Sequence, residues 1–169
     1  MCIIRDGDSY HIQPTTLALP LLNIKSLYKS IMMNGKNNIA IGFLTMGFFM
    51  AYGFLLIYLR DFAPGKVEWA NSYSIGKHFE TRLAHVHGNL FAFLNILIGY
   101  LLLRFSDKLT NVKAISWLAL TGLLMPLGIL SEVYFGLPPL LVLVGAITMT
   151  VSVVWLGIAF LKMKPLTQL

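Results

Sequence analysis

Charge is scarce in this chain and cysteine scarcer still. Only 12% of its 169 residues are charged, while 57% are hydrophobic. A soluble domain carries about 25% charged residues, and a buried soluble core does not produce several uncharged runs long enough to cross a bilayer. The composition therefore points to an integral membrane protein of one domain. The single cysteine, Cys2, excludes an intramolecular disulfide and any multi-cysteine metal site. The sequence also lacks a phosphate-binding glycine loop and a serine in a nucleophile-elbow context. It has no internal repeat, no low-complexity segment and no Arg/Lys cluster interleaved with aromatics. The net charge of +6 thus reports topology and not a nucleic-acid partner. No signal peptide is expected, because the apolar run Leu17-Ala-Leu-Pro-Leu-Leu is short and broken by Pro20.

What is present is a series of apolar runs. The expected fold is all-α: an integral membrane four-helix bundle with antiparallel up-down spans at about 39–59, 83–103, 114–131 and 140–161. These make up a transmembrane domain over 37–164. Residues 1–36 read as an amphipathic or disordered N-terminal segment, in which Pro14 and Pro20 interrupt any helix. Its piece Leu21 to Met33, with Lys25 and Lys29, suits the membrane surface. The composition shift after it places the natural start at Met32 or Met33, an expectation that a native peptide from residues 1–25 would refute. Gly42, Gly47 and Gly53 in the first span mark close backbone approach. Pro126 and Gly128 predict a kink in the third. Residues 60–82 read as the long loop. Trp69 and Tyr73 suit the membrane–water interface, and the loop is placed to fold over the mouth of the bundle.

Orientation comes from the basic residues. Arg5, Lys25, Lys29, Lys36, Arg104, Lys108, Lys113, Lys162 and Lys164 fall on one side, and Arg60, Lys66, Lys77 and Arg82 on the other. The positive-inside rule then puts both termini in the cytoplasm, with a bacterial inner membrane as the expected location.

The second span is the unusual one. It runs uncharged from Leu83 to Leu103, yet carries His85, His87, Asn89 and Asn95. Polar groups at membrane depth are costly and point to function or to helix packing. In an alternating bundle its first turns share a depth with Ser131, Glu132 and Tyr134, under a loop bearing His78 and Glu80. At about 100° per residue, His85 shares a face with Asn89, Ala92, Ile96 and Gly99, with Gly88 at its edge. His87 points about 160° away, so the two histidines of a regular helix cannot chelate one ion. The stripe Gly88, Ala92 and Gly99 favours either close helix contact or a bulky planar ligand. An axial haem ligand needs one neutral imidazole in an apolar slot with small residues nearby, which His85 offers. A zinc or copper site needs three or four donors, for which His85, His78, Glu80 and Glu132 are the available groups. Asn89, Asn95 and His87 each also suit a plain interhelical hydrogen bond, Glu132 a solvated helix end and Tyr134 an interfacial belt.

The order of features resembles the small membrane-bound styrene oxide isomerases over about residues 38–164. The matching pieces are Ala84-His85 after the loop arginine, the asparagine-containing helix beyond it, the turn Phe105-Ser-Asp-Lys108, a third span ending near Tyr134-Phe135 and a fourth ending in lysines. The resemblance implies a trimer holding haem b between subunits. It also implies a ferric iron that acts as a Lewis acid on a small lipophilic epoxide, giving an aldehyde. His85 would be the axial ligand to iron, with His87, Gly88 and Ala92 beside the cofactor. Asn89 or Asn95 would anchor the epoxide, and Tyr134 would line the pocket. His-Val-His-Gly-Asn departs from that family's sequence after its histidine. His-x-His-x-Asn-Leu also resembles small proteins related to the catalytic subunit of haem–copper oxidases, which implies electron transfer or gas binding. A cofactor-free packing protein is the third reading. In every case the lipid bilayer is a partner.

Overall fold

A computed structural model describes the backbone of residues 18–163 and the side chains of residues 35–163. The expected surface-lying piece Leu21–Met33, and the expected start at Met32 or Met33, lie outside the described side chains. Contacts divide the chain into Met1–Ser30 and Ile31–Leu169, and the second unit holds the four spans and the site.

The elements are α1 (Ala18–Asp61), α2 (Lys66–Asn71), α3 (Gly76–Arg104), α4 (Val112–Gly122), α5 (Leu124–Phe135) and α6 (Leu140–Leu161). Among the described residues four stretches are long and apolar enough to cross a bilayer: Gly35–Asp61, Gly76–Arg104, Val112–Phe135 and Leu140–Leu161. Pro20 does not interrupt α1. It falls in the first turn, where its missing N–H would have had no helical partner.

The long loop is shorter than expected. α3 begins at Gly76, whose φ of 62° turns the chain into the helix, so His78, Glu80 and Arg82 are helical residues. Charged residues at a helix end need not enter the hydrocarbon, so hydropathy alone places the boundary too late. The third span is interrupted at Leu123, between α4 and α5. Pro126 explains the place, because a proline ring clashes with the carbonyl four residues earlier, here Gly122. Leu123 N–H bonds instead to the Leu120 carbonyl at 3.1 Å, a tighter turn. Gly128 serves contact: a methyl group there would lie 2.7 Å from the Val142 nitrogen of α6.

Close approach also joins α1 to α3. A Cβ on Gly99 would fall 2.6 Å from the Gly35 carbonyl oxygen, and one on Gly42 would fall 2.8 Å from that of Ala92. The Phe49 ring lies directly over Gly88. Without a hydrophobic force between helices in lipid, such backbone contact is the main source of helix association. On the other side of α3, Ala84 packs with Ile129 and Val133 of α5. The α6 helix packs along α4 and α5, with Met149 against Gly122 and Met125 against Gly145.

Four buried polar residues tie the spans together. The Asn38 side-chain amide donates to Asn95 Oδ1 at 2.9 Å and to the Ser116 carbonyl at 3.1 Å. The Ser116 hydroxyl donates to Asn38 Oδ1. The Asn95 amide donates to the carbonyls of Phe91 and Ala119 at 3.0 and 2.9 Å. Ser152 on α6 donates to the Ile115 carbonyl at 2.9 Å. Each of these side chains is almost wholly enclosed, and each is satisfied, as burial demands.

Candidate functional site

A cleft of about 520 Å³ lies between α1 and the first half of α3, within the range of about 300–1,000 Å³ of small-molecule and cofactor sites. From α1 it is lined by Met50, Gly53, Phe54, Leu56, Ile57 and Arg60. From α3 it is lined by His78, Arg82, His85 and Asn89, and Tyr73 of the connecting segment closes the end. The α3 residues are spaced four, three and four apart, which places them within an arc of about 60° on one helix face. Met50, Phe54 and Ile57 are also exposed on the outer surface of α1, so the cleft opens sideways onto an apolar face.

The His85 imidazole is held from across the cleft. Its Nδ1 lies 2.8 Å from the Phe49 carbonyl oxygen of α1. A carbonyl can only accept, so Nδ1 carries the proton, and in the neutral ring Nε2 keeps its lone pair. The Asn89 amide nitrogen donates to the His85 carbonyl at 2.9 Å. Its separation of 3.5 Å from His85 Nδ1 is at the limit of a hydrogen bond, and the shorter contact sets its orientation. Gly53 makes room for the ring: a Cβ there would lie 2.7 Å from His85 Cε1 and 3.4 Å from Nε2.

The polar end of the cleft is built by aromatic contacts. His78 is buried, its ring stacked on Trp69 at 4.5 Å and 20°. Its Nδ1 donates to the Trp69 carbonyl. Tyr73 stands edge-on to His78 at 5.4 Å and 89°. Arg82 lies over the Tyr73 ring, its guanidinium carbon 3.5 Å from the centroid, and donates to the Tyr73 carbonyl at 3.2 Å.

Of the site residues expected from the sequence, the structure brings His78, His85 and Asn89 together in the cleft and leaves the others outside it. His87 donates from Nδ1 to the Leu83 carbonyl of its own helix at 2.9 Å and lies edge-on to Phe91. The space beside Gly88 and Ala92 is filled by α1, through the Phe49 ring and the approach of Gly42. Asn95 is enclosed in the interhelical network, about 15 Å along the axis from His85 at 1.5 Å per residue. The Tyr134 hydroxyl lies 3.1 Å from that of Tyr52, away from the cleft lining. Among the described residues no three His, Cys, Asp or Glu side chains converge on a point that could hold an ion. The donor set from His85, His78, Glu80 and Glu132 is therefore not assembled. Arg60, Arg82 and Gly53 belong to the cleft and are not among the site residues that the sequence suggests. Their one signal is the spacing of Arg82 from His85 by a single turn.

The donor chemistry that remains is two imidazoles, His85 and the more enclosed His78, each with its Nδ1 given to a backbone carbonyl, among apolar walls and with cationic groups at one end. Such a site can hold the metal of a planar cofactor by one axial bond. It cannot build the three- or four-donor cage of a bare ion. Comparison with known protein families, characterised proteins and solved structures gave no match.

Proposed function

We propose that this chain is a membrane haem b protein in which His85 Nε2 is the axial donor to iron. The observation that carries the reading is the hydrogen bond from His85 Nδ1 to the Phe49 carbonyl at 2.8 Å. A ligating histidine usually gives its other N–H to a carbonyl or carboxylate, which fixes the tautomer and orients the ring. Here that partner comes from the facing helix, and the missing side chain of Gly53 makes room for the ring against it.

The chain's own residues supply the setting. Met50, Phe54, Leu56 and Ile57 give apolar walls that exclude water and admit a lipophilic molecule from the hydrocarbon. Asn89, one turn beyond His85, brings an amide to the same cleft, where it can orient a polar atom of a substrate. Bound haem would supply a Lewis-acidic iron, and the resemblance to styrene oxide isomerases implies a small lipophilic epoxide opened to an aldehyde. Assembly into a homotrimer would cover the open side of the cleft. An antiparallel first and second span is supported by the pairing of Gly35 with Gly99, Gly42 with Ala92 and Gly53 with His85, and cytoplasmic termini by the uneven distribution of basic residues.

An absorption spectrum of the detergent-purified protein tests the reading, oxidised and then reduced with dithionite. A strong haem band in stoichiometric amount is expected, lost in His85→Ala and kept in His87→Ala. No band after expression with haem precursor supplied would overturn it. Aldehyde formation from an aryl epoxide without added reductant is the expected activity. Ready reduction and carbon monoxide binding without that activity would point instead to a redox or gas-binding task.

A further inference from the structure

The α3 wall of the cleft carries two different chemistries one turn apart. His85 offers an imidazole nitrogen. Arg82, three residues earlier, offers a guanidinium, and it is not a loose surface cation. It rests on the Tyr73 ring at 3.5 Å and donates to the Tyr73 carbonyl at 3.2 Å. Tyr73 is in turn set against His78, and His78 is stacked on Trp69. The group is thus positioned before any ligand arrives, which lowers the ordering cost of binding.

The two arginines of the cleft differ in what they have left to give. Arg60 is bridged to its neighbour Asp61 through two hydrogen bonds, at 2.9 and 2.7 Å. Among the described residues Arg82 has no carboxylate within ion-pair distance. An arginine carries five N–H donors in a planar fork that matches a carboxylate, and Arg82 donates one to the Tyr73 carbonyl. Its charge at the edge of an apolar cleft is therefore paired with no carboxylate among the described residues.

We infer that Arg82 takes a carboxylate of the cleft's occupant, so that the site selects a planar apolar ligand with an acidic edge. This rests on the haem reading and adds to it the recognition of the haem propionates. His85 holds such a ligand by its metal, and Arg82 fixes its rotation in the cleft by its acidic edge.

The test is a titration of the full-length, cofactor-free protein in non-ionic detergent, with protohaem and with its dimethyl ester. Binding is followed by the shift of the absorption band. A charge-assisted hydrogen bond changes affinity by about tenfold or more, so wild type should bind the free acid tighter by about that factor. Arg82→Gln should shrink the gap to within about twofold, while Lys77→Gln, an exposed cation on the same helix outside the cleft lining, leaves it unchanged. Comparing the gap between variants cancels the different partition of the two haems into micelles. Arg82→Lys keeps the charge without the fork and should retain part of the gap. It decides the matter where circular dichroism shows Arg82→Gln to be unfolded, since a gap left at its wild-type value in a folded Lys variant would overturn recognition by the guanidinium fork. The inference is overturned by equal affinity of wild type for both haems, or by a gap that survives in Arg82→Gln. Failure of the haem reading looks different, because neither compound would then give a saturable shift that His85→Ala removes, and both proposals would fall.

Discussion

The His85 ring and Gly53 meet so closely that a single methyl group on Gly53 would lie 2.7 Å from Cε1. Residue 53 is also one helical turn beyond residue 49. Its lack of a side chain leaves the Phe49 carbonyl open to a second hydrogen bond, the one that His85 makes at 2.8 Å. Gly53→Ala should therefore push the imidazole off its carbonyl partner and leave the bundle folded. Disturbing the partner that orients a ligating histidine lowers metal affinity by about 10- to 100-fold, and haem affinity should fall on that scale. Gly47→Ala is the matched control, because nothing lies within 4 Å of a Cβ placed there. Haem titration of both variants checks this, and an unaffected Gly53→Ala would separate the glycine from the site.

Two asparagines on α3 should respond in opposite ways. Asn95 is buried, with its Oδ1 and amide engaged by Asn38 and by the Phe91 and Ala119 carbonyls. Asn95→Leu leaves one Asn38 amide N–H without its partner in an apolar interior, which costs about 1–3 kcal/mol. It should lower the thermal midpoint in detergent and leave the haem spectrum of the folded fraction unchanged. Asn89 lies in the cleft and bonds only along its own helix, to the His85 carbonyl. Asn89→Ala should alter the spectrum or the activity and barely move the midpoint. Parallel melts and spectra of the two variants check the contrast.

The spans are legible in the sequence because apolar runs bounded by charges are a direct imprint of the bilayer. The fourth, read as 140–161, coincides with Leu140–Leu161. The start of α3 is not legible, because a hydropathy reading stops at Arg82 whereas the helix continues back to Gly76. That difference hides the stripe His78, Arg82, His85 and Asn89, which is plain once all four are on one helix. The small-residue stripe has two readings in the sequence, helix contact or planar ligand, and the Phe49 ring occupies the space beside Gly88. The partner of His85 has no signal at all. A backbone carbonyl inside a helix has the same chemistry whatever residue bears it, so only the packing of α1 on α3 reveals it.

The Tyr52 and Tyr134 hydroxyls, 3.1 Å apart, join α1 to α5 away from the cleft. Tyr52 is buried, edge-on to Phe49 at 6.4 Å, while Tyr134 is half-exposed. Removing one hydroxyl leaves the other without its partner, whereas removing both leaves no unpaired group, so the losses should not add. Tyr134→Phe should cost about 0.5–1.5 kcal/mol, because it leaves the buried Tyr52 hydroxyl unpaired, and Tyr52→Phe less, because the exposed Tyr134 hydroxyl that remains still reaches polar surroundings. The double variant should be no less stable than Tyr134→Phe alone, giving a coupling energy in the cycle of about 0.5 kcal/mol or more. Because Phe49 also presents the carbonyl that holds His85, the haem spectrum of the double variant is a second readout. An unchanged spectrum is expected, since phenylalanine at 52 keeps the ring that packs on Phe49. A shifted spectrum would mean that the tyrosine pair steadies this part of α1, and would draw Tyr134 into the site through Phe49 without its touching a ligand.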